Sequence, residues 1–173
     1  LVQESGMVPI VEPEVLMDGS HNSEDCFQKT SEVIKKCYEQ LELHRIELKG
    51  TILKPNMILP GSSSDEKVDT LKVAEMTIKC LDESVPSEVP GIAFLSGGQT
   101  EKEATKNLNE INMKNKTNFI MTFSYGRALQ QSALKFWSND LKNIEGTQEI
   151  FNHRAKMCSL ASIGKWSEEV DKI

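Results

Sequence analysis

Lys54 closes the apolar run Ile46-Glu-Leu-Lys-Gly-Thr-Ile-Leu53 and is followed at once by Pro55-Asn56-Met57. A lysine at a strand-like end, beside a proline stop, is placed for chemistry. Desolvation disfavours the ammonium form, and a neutral amine there can attack a carbonyl and form a Schiff base. The same position suits a lysine that snorkels its ammonium into solvent, and the local pattern alone favours that plainer reading. Polar residues gather wherever another apolar run stops. Val8-Pro-Ile-Val11 leads directly into Glu12, with Glu14 two residues further on. A carboxyl group tuned toward neutrality beside such a lysine can move protons as a carbinolamine forms and dehydrates. Ser96-Gly97-Gly98 frees backbone N–H groups at a helix entrance, where glycine lets an anion approach closely. Ser124-Tyr125-Gly126-Arg127 repeats that device and adds a guanidinium suited to bidentate phosphate binding. Taken singly, a Gly-Gly pair is a tight turn, Glu-Pro-Glu a solvated loop and Arg127 a first-turn residue. Their recurrence at successive run ends points to amine chemistry beside a phosphate cradle.

The elements that must position these residues are legible in the hydrophobic pattern. Strands are predicted at Met7–Val11, Glu47–Leu53, Gly91–Leu95 and Phe119–Phe123. Helical periodicity predicts helices near 23–43, with Ser23-Glu-Asp as cap and acidic first turn, and near 69–84. Further helices follow the capping-box pattern Thr100-Glu-Lys-Glu103, follow Arg127, and run near 144–161. Strands alternating with helices predict an α/β fold with a parallel sheet, open or closed, whose strand ends share one face. Four βα units cannot close an eight-stranded barrel, which usually takes about 250 residues.

Composition narrows the function classes. The length of 173 residues suits one ordinary domain. Because the chain opens on Leu1 and its apolar pattern begins almost at once, an upstream part is expected. No signal-peptide pattern or long apolar span is visible, so a soluble chain is expected. A net charge of -6 opposes sequence-wide attraction to nucleic acid or anionic membranes. Cys26, Cys37, Cys80 and Cys158 form no CxxC pair, and His21, His44 and His153 no HExxH, so no metal site is expected and the thiols read as reduced.

Four segments, in order, resemble the class I fructose-bisphosphate aldolases: Val8-Pro-Ile-Val-Glu-Pro-Glu14, Gly50-Thr-Ile-Leu-Lys-Pro-Asn-Met57, Phe94-Leu-Ser-Gly-Gly-Gln99 and Thr122-Phe-Ser-Tyr-Gly-Arg-Ala-Leu-Gln130. The resemblance implies the C-terminal half of a (β/α)8 TIM barrel over residues 1–166 and a divergent tail over 167–173. It also implies a cytoplasmic lyase of glycolysis and gluconeogenesis that reversibly cleaves fructose 1,6-bisphosphate to dihydroxyacetone phosphate and glyceraldehyde 3-phosphate, without cofactor. The complete family protein is expected to be a homotetramer. By the same resemblance Lys54 is the Schiff-base lysine, Glu12 the acid/base for imine formation and Glu14 its neighbour in proton transfer. Ser96, Gly97, Gly126 and Arg127 would hold a substrate phosphate, with Ser124 close by. The pattern differs from the family at Met17-Asp-Gly-Ser-His-Asn22 and is one residue shorter within Asn112–Asn118. The family's first four strands, which supply an aspartate and basic residues for bond cleavage, and its tyrosine-ended tail have no counterpart here. An alternative expectation is a non-catalytic, aldolase-derived protein that pairs with other subunits.

Overall fold

The computed structural model describes residues 1–172; residue 173, the last of the expected tail, lies outside them. Four parallel strands, β1 (Ile10–Val11), β2 (Ile52–Leu53), β3 (Gly91–Phe94) and β4 (Ile120–Phe123), form one sheet in the order β1-β2-β3-β4. Helices α1 (Ser23–Leu43), α2 (Thr70–Ser84) and α3 (Glu101–Lys114) connect them, and α4 (Arg127–Asn139) and α5 (Ile144–Ala161) follow β4. These are four consecutive βα units, as expected of half a (β/α)8 barrel. The strands are shorter than predicted. Leu48–Gly50 is a 3-10 turn in which Thr51 Oγ1 donates to the Leu48 carbonyl at 2.7 Å. Gly50 offers a strand no side chain to pack, and the Gln3 amide ties the Glu47 and Gly50 carbonyls at 2.8 and 3.2 Å.

The helices match because their start signals are local. Thr100 and Glu103 close the expected capping box on α3. On α1 the cap is Asn22, one residue earlier than predicted, in a reciprocal box with Asp25. Ser23 is thereby released for another bond. Its N–H and hydroxyl donate to the Glu66 carboxylate at 2.6 and 2.8 Å, and Lys72 Nζ meets the same group at 3.0 Å. Glu66 therefore pins the loop after β2 to the start of α1. The Ser23 amide first, then Lys72 and the Ser23 hydroxyl, hold its pKa down at about 2. A carboxyl depressed in the folded state stabilises fully above its unfolded value and loses that contribution as pH falls through the folded one. Glu66→Gln is therefore expected to lower the melting temperature at neutral pH and to flatten its fall between about pH 5 and 2. Parallel melting curves for variant and parent across that range would refute the pin.

Leu53, Ile92, Phe94 and Met121 from the sheet pack with Ile34, Tyr38, Val73, Leu108, Ile111 and Met157 from the helices in one buried cluster. Burying each large apolar side chain contributes about 1.5–3 kcal/mol, which fixes the sheet against the helix layer. The C-terminal segment docks through a carboxylate. Asp171 accepts from Arg154 at 3.0 and 2.8 Å and from Trp166 Nε1 at 3.0 Å, and pairs with His153 Nε2 at 3.0 Å. Outer positions of the edge strands stay uncovered: Ile10 is 55% and Ile120 74% exposed.

Candidate active site

Pairing register places Val11, Leu53, Ile92 and Met121 at one level across the sheet. The residues just beyond them therefore emerge on one face. The Lys54 amide extends the β1–β2 ladder by donating to the Val11 carbonyl at 2.7 Å, which orients the residue after each strand toward the same end. There Lys54 Nζ lies 2.9 Å from Glu12 Oε1, the lysine side chain 19% and the glutamate 47% exposed. An amine and a carboxylate in contact can exchange a proton directly. Lys54 is thus desolvated in part only, and its charge is met by Glu12 rather than left bare.

Among the described residues Glu14 makes no hydrogen bond or ion pair and points to no partner in this pair, although it is only two residues from Glu12. The Ser96-Gly97-Gly98 turn has the geometry its sequence implies. Gly97 and Gly98 take φ values of 55° and 79°, which a side chain disfavours. The Ser96 carbonyl accepts from the Gln99 amide N–H at 3.1 Å and from Gln99 Nε2 at 2.8 Å. Asn107 on α3 donates to the other end of that side chain, Gln99 Oε1, at 2.7 Å. On the neighbouring unit the Ser124 N–H donates to the Phe94 carbonyl at 2.8 Å, so Ser124 follows β4 at the level where β3 turns toward Ser96. Gly126 caps α4 with no side-chain bond; the Leu129 N–H turns back to the Gly126 carbonyl at 3.1 Å, while the Arg127 and Ala128 N–H groups stay open beside the exposed Arg127 side chain. Open N–H groups and a positive helix end together suit an anion.

The structure thus joins Lys54 to Glu12 and places the two glycine turns on adjacent units at the same end of the sheet. A groove of about 710 Å³, lined by Met17, Pro60, Gly97, Gly98, Gln99 and Asn107, borders the first turn but includes neither Lys54 nor Glu12. It is therefore separate from the Lys54–Glu12 pair. Its wall is two loops laddered together, with Gly61 N–H bonded to His21 O at 2.9 Å and Ser62 N–H to Met17 O at 2.7 Å. A Cβ on Gly61 would stand 2.8 Å from the Gly19 carbonyl carbon, so this approach requires glycine.

Sequence reasoning passed over the supports, Asn56, Gln99 and Asn107. For Asn56 the available signal is an amide set between Pro55 and the apolar Met57-Ile58, because a polar group beside an apolar run is buried only when it is bonded. Cys26, Cys80 and Cys158 are buried, Cys37 is half-buried, and none is bonded to another. Burial pushes the Cys80 thiol up to about 11. No group of three or more metal-ligating side chains is found among the described residues, and no helix among them is long and apolar enough to cross a membrane.

A family model described as glycolytic, fructose-bisphosphate aldolase class-I, matches residues 1–173. The chain is 51% identical over 165 residues to a relative named fructose-bisphosphate aldolase 4, cytosolic, of Arabidopsis thaliana, covering 95% of this chain and 42% of that one. It is 48% identical over 167 residues to the cytoplasmic isozyme of Spinacia oleracea, covering 96% of this chain and 46% of the relative. A solved structure of fructose-bisphosphate aldolase from Plasmodium falciparum, in complex with TRAP and a small-molecule inhibitor, superposes with a TM-score of 0.92 at 42% identity, covering 95% of this chain and 48% of that one. The chain spans about half the length of the relatives it matches.

Proposed function

Because the chain belongs to the class I fructose-bisphosphate aldolase family, we propose that it carries the Schiff-base part of a lyase site acting on fructose 1,6-bisphosphate and dihydroxyacetone phosphate. The observation that carries this reading is the 2.9 Å contact between Lys54 Nζ and Glu12 Oε1 at the ends of adjacent parallel strands. Glu12 takes the ammonium proton, the freed amine attacks the ketose carbonyl, and Glu12 returns a proton as the carbinolamine loses water. The protonated imine then accepts the electron pair left when the carbon-carbon bond breaks, while the hydroxyl proton of the departing carbon passes to the aspartate that the resemblance assigns to the family's first half; the imine's positive charge does the work and the step needs no metal. The Ser96-Gly97 turn, with Gly126, Arg127 and Ser124, receives one substrate phosphate. Glu14 acts as an outer member of the proton path, reached through water.

Residues 1–166 form the barrel part in this reading, and 167–173 a divergent tail. A cytoplasmic location accords with the names of the relatives, and the complete family protein is taken as a homotetramer without nucleic-acid or membrane partners. The reading is tested by borohydride reduction in the presence of dihydroxyacetone phosphate, followed by peptide mass mapping. Labelling at Lys54 supports the imine chemistry; a folded sample that takes no label at Lys54 overturns it. The uncovered edges at Ile10 and Ile120 favour a second reading, a non-catalytic chain that pairs with other subunits. Edge pairing without labelling would establish that alternative.

A further inference from the structure

We propose that Asn56 is the positioning residue that holds Glu12 against Lys54, a role that rests on the Schiff-base reading above. β1 contributes only Ile10 and Val11 to the sheet, so the ladder stops before Glu12. From Glu12 to Leu16, the only backbone hydrogen bond among the described residues is the one that the Val15 N–H donates to Asn56 Oδ1 at 3.0 Å. That single bond returns the departing chain to the strand carrying the lysine. Between the two points lies Pro13, whose ring fixes its own φ and restricts the residue before it, which is Glu12. A position imposed at Val15 is therefore transmitted to the Glu12 side chain through a short, stiff segment.

Asn56 is itself immobilised. It is 1% exposed, and its Nδ2 donates to Thr30 Oγ1 on α1 at 3.0 Å and to the Met57 carbonyl at 3.1 Å. With both donors engaged, the amide cannot flip without setting its NH2 against the Val15 N–H and its oxygen against the Met57 carbonyl. Pro55, between Lys54 and Asn56, is fixed in turn because its carbonyl accepts from the Leu95 N–H at 3.0 Å. Nucleophile and anchor thus sit two residues apart on one rigid strand end. The carboxylate is referred to the same frame from the other side. Catalytic geometry tolerates little error, since a displacement of about 1 Å costs on the order of 100-fold in rate.

The test compares the parent chain, Asn56→Ala, and Ile111→Val, a core truncation on α3 that removes none of the hydrogen bonds Asn56 makes. For each, the rate of borohydride-trapped labelling at Lys54 is measured against dihydroxyacetone phosphate concentration, and exchange of the Val15 amide is followed in the free protein. Asn56→Ala is expected to lower the limiting trapping rate by roughly 10-fold to 100-fold. Its half-saturating concentration should stay within about twofold, because the phosphate turns follow β3 and β4 and share no hydrogen bond with Asn56. Val15 exchange should accelerate, while Ile111→Val lowers the melting temperature and leaves both readouts near those of the parent. A parent that labels and an Asn56→Ala variant that labels equally fast would overturn the positioning role alone. Equal loss of limiting rate in both variants would reduce Asn56 to a stability residue, which also overturns it. A folded parent that takes no label removes the positioning role together with the proposed function.

Discussion

Lys54→Arg is expected to abolish borohydride-trapped labelling with dihydroxyacetone phosphate, by roughly a thousandfold or more, the scale on which removal of a covalent nucleophile acts. Arginine is the informative replacement. It keeps a cation facing Glu12 and so preserves the 2.9 Å charge contact in kind. Its guanidinium does not deprotonate in proteins, however, and cannot form the imine. Loss of labelling with an unchanged melting temperature therefore separates nucleophile from ion pair. The remaining lysines provide the internal control: Lys29 and Lys36, exposed on α1, are held in their charged form by Glu32 and Glu39 and should stay unlabelled in both proteins. Persistent labelling in Lys54→Arg, mapped to any other lysine, would move the reactive centre elsewhere and dismantle the site built around β1 and β2.

Asp171→Ala is expected to destabilise the chain by about 3 kcal/mol, because it leaves the Arg154 guanidinium buried without its carboxylate. The lower end of the range for a broken buried pair is appropriate, since lifting a terminal segment lets Arg154 regain water. Asp171 and Arg154 are each 6% exposed, and Trp166 Nε1 and His153 Nε2 share the same carboxylate, so one substitution removes four contacts. For a chain of this size the loss corresponds to a fall of roughly 6–12 °C in melting temperature. Burial alone would raise the Asp171 pKa, but the bonds from Arg154, His153 and Trp166 outweigh it and hold the carboxyl below its ordinary value of 3.8. The stabilisation is therefore complete above that value and is lost as pH falls beneath it. Thermal unfolding at pH 7 and at acid pH checks both parts. A variant that melts within about 2 °C of the parent at pH 7 would show that the clamp contributes nothing.

The sequence was most informative where its signals were local. The Thr100/Glu103 box and the periodicity of 23–43 and 144–161 located helices to within a residue or two, because a helix start is decided by side chains three or four residues apart. Strand lengths were less legible. The apolar run from Glu47 to Leu53 gives no hint that Gln3, more than forty residues earlier, captures the Glu47 and Gly50 carbonyls in a turn. The cap of α1 falls one residue before the expected Ser23 for a similar reason: Ser23 has a capping side chain, but Glu66 from a distant loop takes its hydroxyl and leaves Asn22 to cap.

By itself the sequence determined the types of group and their order: an amine at one strand end, carboxylates at the preceding one, and glycine turns at the next two. Those follow from residue identity and from alternation of apolar and helical segments, which a linear text records. Only the tertiary structure decided that Glu12 stands in direct contact with Lys54, at 2.9 Å, that the segment leaving β1 is tied back through Asn56, and that Asp171 is buried rather than solvated. Each of these depends on bringing together residues far apart in the chain, through strand register or a single buried hydrogen bond. Contacts closed across such distances leave no periodic trace in the sequence, because they are set by packing geometry and not by neighbours along the chain.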